Sequence, residues 1–328
     1  MSNFNYDTTG EEVASVCSDE ILGKIILITG PSPNSLAAKF AMTISVHAPA
    51  MIILASRDTS KLEELAASIK EIGPAIAIRI LRLDLSSQAS IREAAQEVNS
   101  YEDVPYIDVL VNSAGLMAVP YSQTQEGIEL QFGVNHVGHF LFTNLIMGKL
   151  ISEDGSRSSR VLNVSSVGHE LSRVRFEDYN FKDGQYYNRW YAYGQSKSAN
   201  MLFSVALAAR LAKKGLICVS LHPGSVFTNL SSHLDKDAWE ELGGIGFQLG
   251  LPRFTSYEGL DYKTQQQGVA TYVFGAFHES ITQQVNGRHL RDSQVLEIRG
   301  YKSWARDPTD AEELWKLSET LVGQEFNY

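Results

Sequence analysis

ILITGPSPNSLAAKF, residues 26–40, decides the fold of this 328-residue chain. A β-rich apolar run reaches Thr29-Gly30 and passes into a segment of helical period that starts near Ser35. A strand that turns on a glycine into a helix start aims unpaired N–H groups and a partial positive charge at one point, a ready site for phosphate. Loops of this kind usually carry three glycines. Here only Gly30 is present, and after four further residues the chain has Ser35, Leu36 and Ala37. Small side chains keep much of what the missing glycines supply: close backbone approach at Ser35 and helix–strand packing at Ala37. Ser32, Asn34 and Ser35 add polar donors, so the reading expects a pyrophosphate held along Gly30, Ser32, Asn34, Ser35 and Leu36. The extra residue is expected to be absorbed by the turn over 31–34.

The same alternation continues on both sides of this stretch. KIILIT, MIILAS, AIRILRL, IDVLVN, RVLNVS and LICVSLH are short strand-like runs, separated by segments of helical period at 35–47, 60–72, 87–100, 126–150 and 193–214. Strands joined by crossover helices read as a doubly wound α/β domain, a parallel sheet covered on both faces. No repeat, low-complexity tract or proline-rich linker divides the chain. Residues 1–20 read as a polar tail and 21–328 as a single domain. Within that domain, the glycine-rich, aromatic-spotted stretch 229–262 reads as an insertion that covers a cleft at the carboxyl ends of the strands. A helix is expected near 264–278.

Composition excludes several classes of function. The formal charge of −10 argues against nucleic acid or an anionic membrane as partner, because both reward a net basic surface. The acidic, polar first twenty residues lack the features of a secretion signal, and no window reaches the roughly 18 apolar residues of a membrane helix. Two cysteines, Cys17 and Cys218, fit a reducing compartment better than a disulfide framework. The expectation is a cytoplasmic protein with a small-molecule substrate.

YGQSK at 193–197 sets a tyrosine and a lysine at i and i+4 on one helix face. An ammonium near a phenol favours the phenolate, which suits acid–base work near neutral pH. Tyr191 has Gln195 at the corresponding place and is a decoy. Thr29-Gly30, NSAG at 112–115, NHVGHF around Asn135, NVSS ending at Ser166, YGQSK and HPGSVFT at 222–228 occur in one order. In that order and spacing the chain resembles the short-chain dehydrogenase/reductase family over about residues 23–328. It looks closest to the retinol-dehydrogenase-like and WW-domain-oxidoreductase-like branch, and its endings are similar to those of fungal members, several of them tailoring enzymes of secondary metabolism.

The resemblance implies a Rossmann-type sheet and a nicotinamide cofactor. By position it makes Tyr193 the proton-transfer group, Lys197 the residue that binds the nicotinamide ribose, and Ser166 the donor to the substrate carbonyl. Asn135 would hold a relay water through a local irregularity in its helix. Strand alternation sends Ser165 to the other side. Asp84 and Leu85 would flank adenine, and Asn112, Ala114, Gly115, Pro223, Gly224, Val226 and Thr228 would complete the cofactor contacts. Ser56-Arg57 at the end of the second strand favours NADP(H), since arginine pairs with a 2′-phosphate; Asp58 keeps NAD(H) as the alternative. Family members often dimerise through the helices that here carry Asn135 and Tyr193, so a homodimer is expected by analogy.

His136, His139, His169 and His222 show no metal-like spacing and no metal is assigned. Seven aromatics between Ser166 and Tyr193 (Phe176, Tyr179, Phe181, Tyr186, Tyr187, Trp190 and Tyr191) read either as the lining of an apolar pocket or as the packing of a long loop. The expected reaction is hydride exchange at a carbonyl or alcohol carbon of a bulky apolar molecule. A non-redox isomerase or cyclase and a cofactor-sensing protein remain as alternatives.

Overall fold

The strand runs form one eight-stranded sheet in the order β10-β9-β6-β5-β4-β1-β2-β3. In this computed structural model, which describes residues 4–152, 154–254 and 262–328, the strands are β1 (Ile25–Thr29), β2 (Met51–Ser56), β3 (Ala77–Arg82), β4 (Val109–Asn112), β5 (Arg160–Val164), β6 (Ile217–His222), β9 (His289–Arg291) and β10 (Gln294–Val295). Every pairing is parallel except β9 with β10. Short β7 (Ser225–Val226) and β8 (Tyr262–Lys263) pair separately. Strand order reverses between β1 and β4, and in such sheets the carboxyl ends there open into a crevice. Alternation along β1 splits the core: Leu27 packs with the layer under the helices on one face, while Ile26 and Ile28 pack with the layer on the other.

The helices are α1 (Gly10–Val16), α2 (Ser18–Ile21), α3 (Leu36–Ser45), α4 (Ser60–Ile72), α5 (Gln88–Ser100), α6 (Leu130–Phe132), α7 (Gly138–Leu145), α8 (Arg189–Leu211), α9 (Lys236–Gln248), α10 (Gln265–Phe277) and α11 (Pro308–Val322). Residues 4–20, expected as part of a polar tail, are packed on the domain. From Phe4 onward the segment docks on the sheet's α10 side, with Val13, Ala14, Cys17 and Ile21 buried. Thr9 and Glu12 form a capping box that starts α1; that Thr-x-x-Glu pattern was the available signal, outweighed by the segment's polarity.

The single helix expected over 126–150 is broken. It begins at α6, passes through a π-turn at Gly133–Val137 and resumes as α7. Gly138 lets this element press on the sheet loop, since a Cβ there would sit 2.6 Å from the Leu85 carbonyl oxygen. The C-terminal α11 lies across α7 and α8. Trp315 packs edge-on to Phe140 at 5.0 Å, Glu312 pairs with Arg210 at 2.5 Å, and the Ser318 hydroxyl meets His136 Nε2 at 2.8 Å. The face expected to receive a second copy is therefore occupied by the chain's own last helix. Of the covering segment, α9 and the turn at Pro252–Phe254 are formed, and 255–261 lie outside the described residues. Among the described residues no helix is long and apolar enough to cross a membrane.

Candidate active site

One cavity of about 510 Å³ runs along the carboxyl ends of the strands from β3 past β1 and β4 to β6. Its floor begins at Thr29. The Thr29 hydroxyl accepts the Ser113 and Ala114 N–H groups at 3.0 and 3.1 Å and meets His139 Nε2 at 2.8 Å. His139 Nδ1 must donate to the Asn135 carbonyl at 3.0 Å, so Nε2 is bare and Thr29 is its donor. Burial holds His139 neutral, down to about 4. Beside it Gly30 is required twice over: its φ is +72°, and a Cβ would lie 2.6 Å from Ala114 Cα.

The loop absorbs its extra residue as the sequence suggested, by turning Asn34 into the left-handed region at φ 59°. Ser35 then caps α3, its hydroxyl accepting the Ala38 N–H at 3.1 Å. The Leu36 and Ala37 N–H groups of the first turn have no intrahelical partner and border the cavity. Ser32 and Ser35 are on the wall. Asn34 is not; its carbonyl accepts from Gln265 Nε2 at 3.3 Å, on the side away from the cavity. Asn112 is also misplaced by the sequence reading. It is buried behind the wall and donates to Thr143 Oγ1 and Asn163 Oδ1 at 3.0 and 2.9 Å, a brace between β4 and β5.

Ser56, Arg57 and Asp58 end β2 on the wall with Lys61, which the sequence reading missed although it follows Arg57 by one helical turn. Asp58 is engaged locally, accepting from Ser60 Oγ at 2.7 Å and pairing with Lys61 at 3.1 Å. Arg57 is exposed. Asp84 caps its own turn through Ser86 at 2.6 Å, with Leu85 beside it.

Ser166, Tyr193 and Lys197 converge where Gly115, Pro223 and Gly224 meet, midway along the cavity. Gly168 and Gly194 allow the turn after β5 to touch α8; a Cβ on Gly168 would be 2.7 Å from Tyr193 Cε1. Lys197 Nζ lies 5.6 Å from the Tyr193 ring centroid and donates to the Val164 carbonyl at 3.1 Å. Burial lowers Lys197 to about 8 and pushes Tyr193 up to about 12, with the Ser166 hydroxyl pulling the phenol back. With burial raising it, the phenol holds its proton at neutral pH in the protein alone. Ser166 Oγ accepts the Gly168 N–H at 3.0 Å, which leaves its own proton to donate.

Asn135 sits in the π-turn, as the expected irregularity required, but behind the wall. Its amide is spent on the Leu116 backbone, at 2.7 and 2.9 Å, and on Ser196 Oγ at 2.9 Å. A Cβ on Gly115 would fall 3.0 Å from Asn135 Oδ1 and 3.6 Å from Lys197 Nζ, so all three are in contact distance of one point.

Beyond Tyr193 the cavity becomes an apolar chamber of Met117, Leu171, Trp190, Trp239, Leu242 and Phe254. Of the seven aromatics between Ser166 and Tyr193, only Trp190 is there. Phe181 and Tyr187 pack on each other at 5.6 Å within the loop, while Tyr179 stacks on Phe132 of α6 and, with Phe176, joins the main core. Trp239 and Leu242 come from α9 and Phe254 from the turn after it, an assignment that only the folding-back of the covering segment makes visible. Tyr272 of α10, bonded to Ser113 at 3.1 Å, is a second phenol on the wall that no motif announced.

A family model described as short chain dehydrogenase matches residues 24–180. Retinol dehydrogenase 14 of Mus musculus is 35% identical over 311 residues, covering 92% of this chain and 86% of that protein. Retinol dehydrogenase 13 of Homo sapiens is 38% identical over 309 residues, 93% and 86% of the two chains. A crystal structure of an uncharacterized protein from Mycobacterium Paratuberculosis superposes with a TM-score of 0.68 at 30% identity, covering 94% of this chain and 96% of that one. Sheet order, site and relatives agree: this chain belongs to the short-chain dehydrogenase/reductase family of oxidoreductases, in its retinol-dehydrogenase-like branch.

Proposed function

We propose that the chain transfers a hydride between NADP(H) and the carbonyl or alcohol carbon of a bulky apolar small molecule, with Ser166, Tyr193 and Lys197 as its catalytic groups and Asn135 as a positioning residue behind them. The observation that carries the reading is the position of Tyr193, Ser166 and Lys197 at the waist of one cavity, between a phosphate-binding end and an apolar chamber. The residues present fit a dinucleotide. Gly30 admits close approach, the first turn of α3 offers two N–H groups, and Asp84 and Leu85 border the far end. When bound, the nicotinamide supplies or accepts the hydride. Ser166 donates a hydrogen bond to the substrate oxygen, and Tyr193, protonated at neutral pH, delivers its proton there in the reductive direction. Lys197, held by Val164, restores the phenol's charge balance, and the Asn135 turn steadies Lys197 through their shared packing on Gly115.

NADP(H) is favoured over NAD(H) because Asp58 is already paired by Lys61, leaving Arg57 as the cation for a 2′-phosphate. The apolar chamber supports a poorly water-soluble substrate, and the names of the relatives add a retinol-like alcohol or its aldehyde to the ketones worth trying. Secondary-metabolite biosynthesis is the setting suggested by the likeness of residues 284–295 and 307–323 to fungal members, and the free Cys17 and Cys218 fit a cytoplasmic place. The test is loss of reduced-nicotinamide absorbance with apolar ketones and aldehydes, each with NADPH and NADH, in the parent and in Tyr193→Phe. The expected result is NADPH-dependent turnover that drops roughly 10²–10⁴-fold in the variant. No binding of either nicotinamide at millimolar concentration refutes the reading.

A further inference from the structure

Ser166 leaves β5 with fully extended backbone, φ −158° and ψ 159°. Both peptides beside it are tied to buried imidazoles. Its carbonyl accepts from His169 Nδ1 at 2.7 Å, and the Val167 N–H after it donates to His222 Nδ1 at 3.2 Å. A carbonyl only accepts, so His169 carries its proton on Nδ1. An amide N–H only donates, so His222 presents a bare Nδ1 and carries its proton on Nε2. The two rings hold opposite tautomers; both are buried, at 3% and 7% exposure, with His222 bordering the cavity.

The surroundings keep both rings in these states. His289 lies 5.8 Å from His169 between it and Tyr301, and its Nδ1 is bonded to Ser220 Oγ at 2.8 Å. The charged groups facing the cluster are Arg291 and Lys263, both paired with Asp292, Arg253, paired with Glu170, and Lys302. Burial first, then Arg291, His169, Lys263 and Arg253, hold His222 well below its ordinary value. A protonated His222 would have no lone pair for Val167 and the bond would be lost.

We propose that His169 and His222 are positioning residues for the proposed reaction, a two-sided clamp that fixes the peptide planes around Ser166 and so aims its hydroxyl at Tyr193 and the substrate oxygen. The logic is geometric. Ser166 Oγ already accepts the Gly168 N–H, so the direction of its remaining proton follows the orientation of residues 166–168. Rotation of either flanking peptide would swing that hydroxyl while leaving the phosphate loop, which is carried by β1 and α3, in place.

The inference rests on the role assigned to Ser166, and the experiment separates the two. His222→Ala removes the acceptor and His222→Asn restores one at the same reach; His169→Phe keeps the ring and removes the donor. Expected is a fall in kcat of about tenfold or more in His222→Ala and His169→Phe, from displacement of a reacting group. KM and nicotinamide Kd stay within about threefold, and His222→Asn recovers most of kcat. In a Ser166→Ala background, His222→Ala costs less than about twofold further, because the clamp acts only through Ser166. An equal loss in both backgrounds, or no rescue by asparagine, overturns the clamp. Imidazole ¹⁵N spectra of the unmutated protein test it without turnover: His169 on the Nδ1–H tautomer and His222 on Nε2–H support it, and matching tautomers overturn it. A parent with no hydride transfer would defeat the reductase reading, and the spectra would still judge the clamp.

Discussion

Gly168→Ala tests the waist of the cavity with a single methyl group. The added Cβ would lie 2.7 Å from Tyr193 Cε1, 2.9 Å from Cδ1 and 3.4 Å from Ser166 Oγ. Ordinary carbon contacts run about 3.5–4.0 Å, so ring and turn must part by about 1 Å. The turn resists. The Ser198 hydroxyl is within bonding reach of the His169 and Ser172 carbonyls, at 3.1 and 2.6 Å, and ties the turn to α8. The phenol, 5% exposed, is what moves. A 1 Å misplacement of a reacting group costs on the order of 100-fold in rate, and overpacking of this kind costs roughly 1–3 kcal/mol of stability. The measurements are kcat with the best ketone, nicotinamide affinity by fluorescence, and the unfolding midpoint. Gly148→Ala, whose Cβ meets nothing within 4 Å, is the control for a bare Gly-to-Ala effect. The expected result is a kcat loss near 100-fold with nicotinamide affinity within about threefold, and a control close to parent. Turnover within about threefold of parent would mean that Tyr193 is not held where the structure has it, or is not the proton donor.

Arg57→Ala should narrow the preference for NADPH over NADH by roughly tenfold, since a charge-assisted phosphate contact is worth about 1.5–3 kcal/mol, and Lys61→Ala should narrow it further by releasing Asp58; calorimetry with both nucleotides decides. Ser35→Gly loses the α3 cap but keeps a permissive backbone, so NADPH affinity should change by less than about tenfold in the same titration. Glu129, buried at the start of α6 and raised to about 7 by burial, is charged at a cost. Its folded value lies above its unfolded one, so its contribution is fully present below about pH 4.5 and is lost as pH rises toward 7. Urea unfolding should show the parent losing up to about 3 kcal/mol against Glu129→Gln over that window; a constant difference would contradict the assignment. Because α11 covers α7 and α8, light scattering should give the mass of one chain, and a dimer whose hydrogen-exchange footprint falls on those helices would count against this packing.

The sequence by itself determined the six parallel strands β1 to β6 and the pairing of Tyr193 with Lys197; the edge strands β9 and β10 it did not announce. Short continuous apolar runs rich in β-branched residues, such as IILIT, read as fully buried strands when segments of helical period separate them, and Tyr193 with Lys197 share a face by helix geometry alone. Gly30 was legible because a left-handed turn before a helix admits little else. Distances across the fold were not legible. Whether Asn34 and Asn112 border the cavity depends on how a turn and a strand end are set in the fold; the Asn34 backbone carbonyl accepts from Gln265 of α10, and the Asn112 side chain braces β5. The 1–20 segment reads as polar because only Val13, Ala14, Cys17 and Ile21 of its helices meet the core, a stripe too thin to recognise before α10 lies against it. The proton on Tyr193 was likewise a tertiary decision. Spacing brings an ammonium near the phenol, but burial is what raises the phenol, and burial is a property of the packed fold.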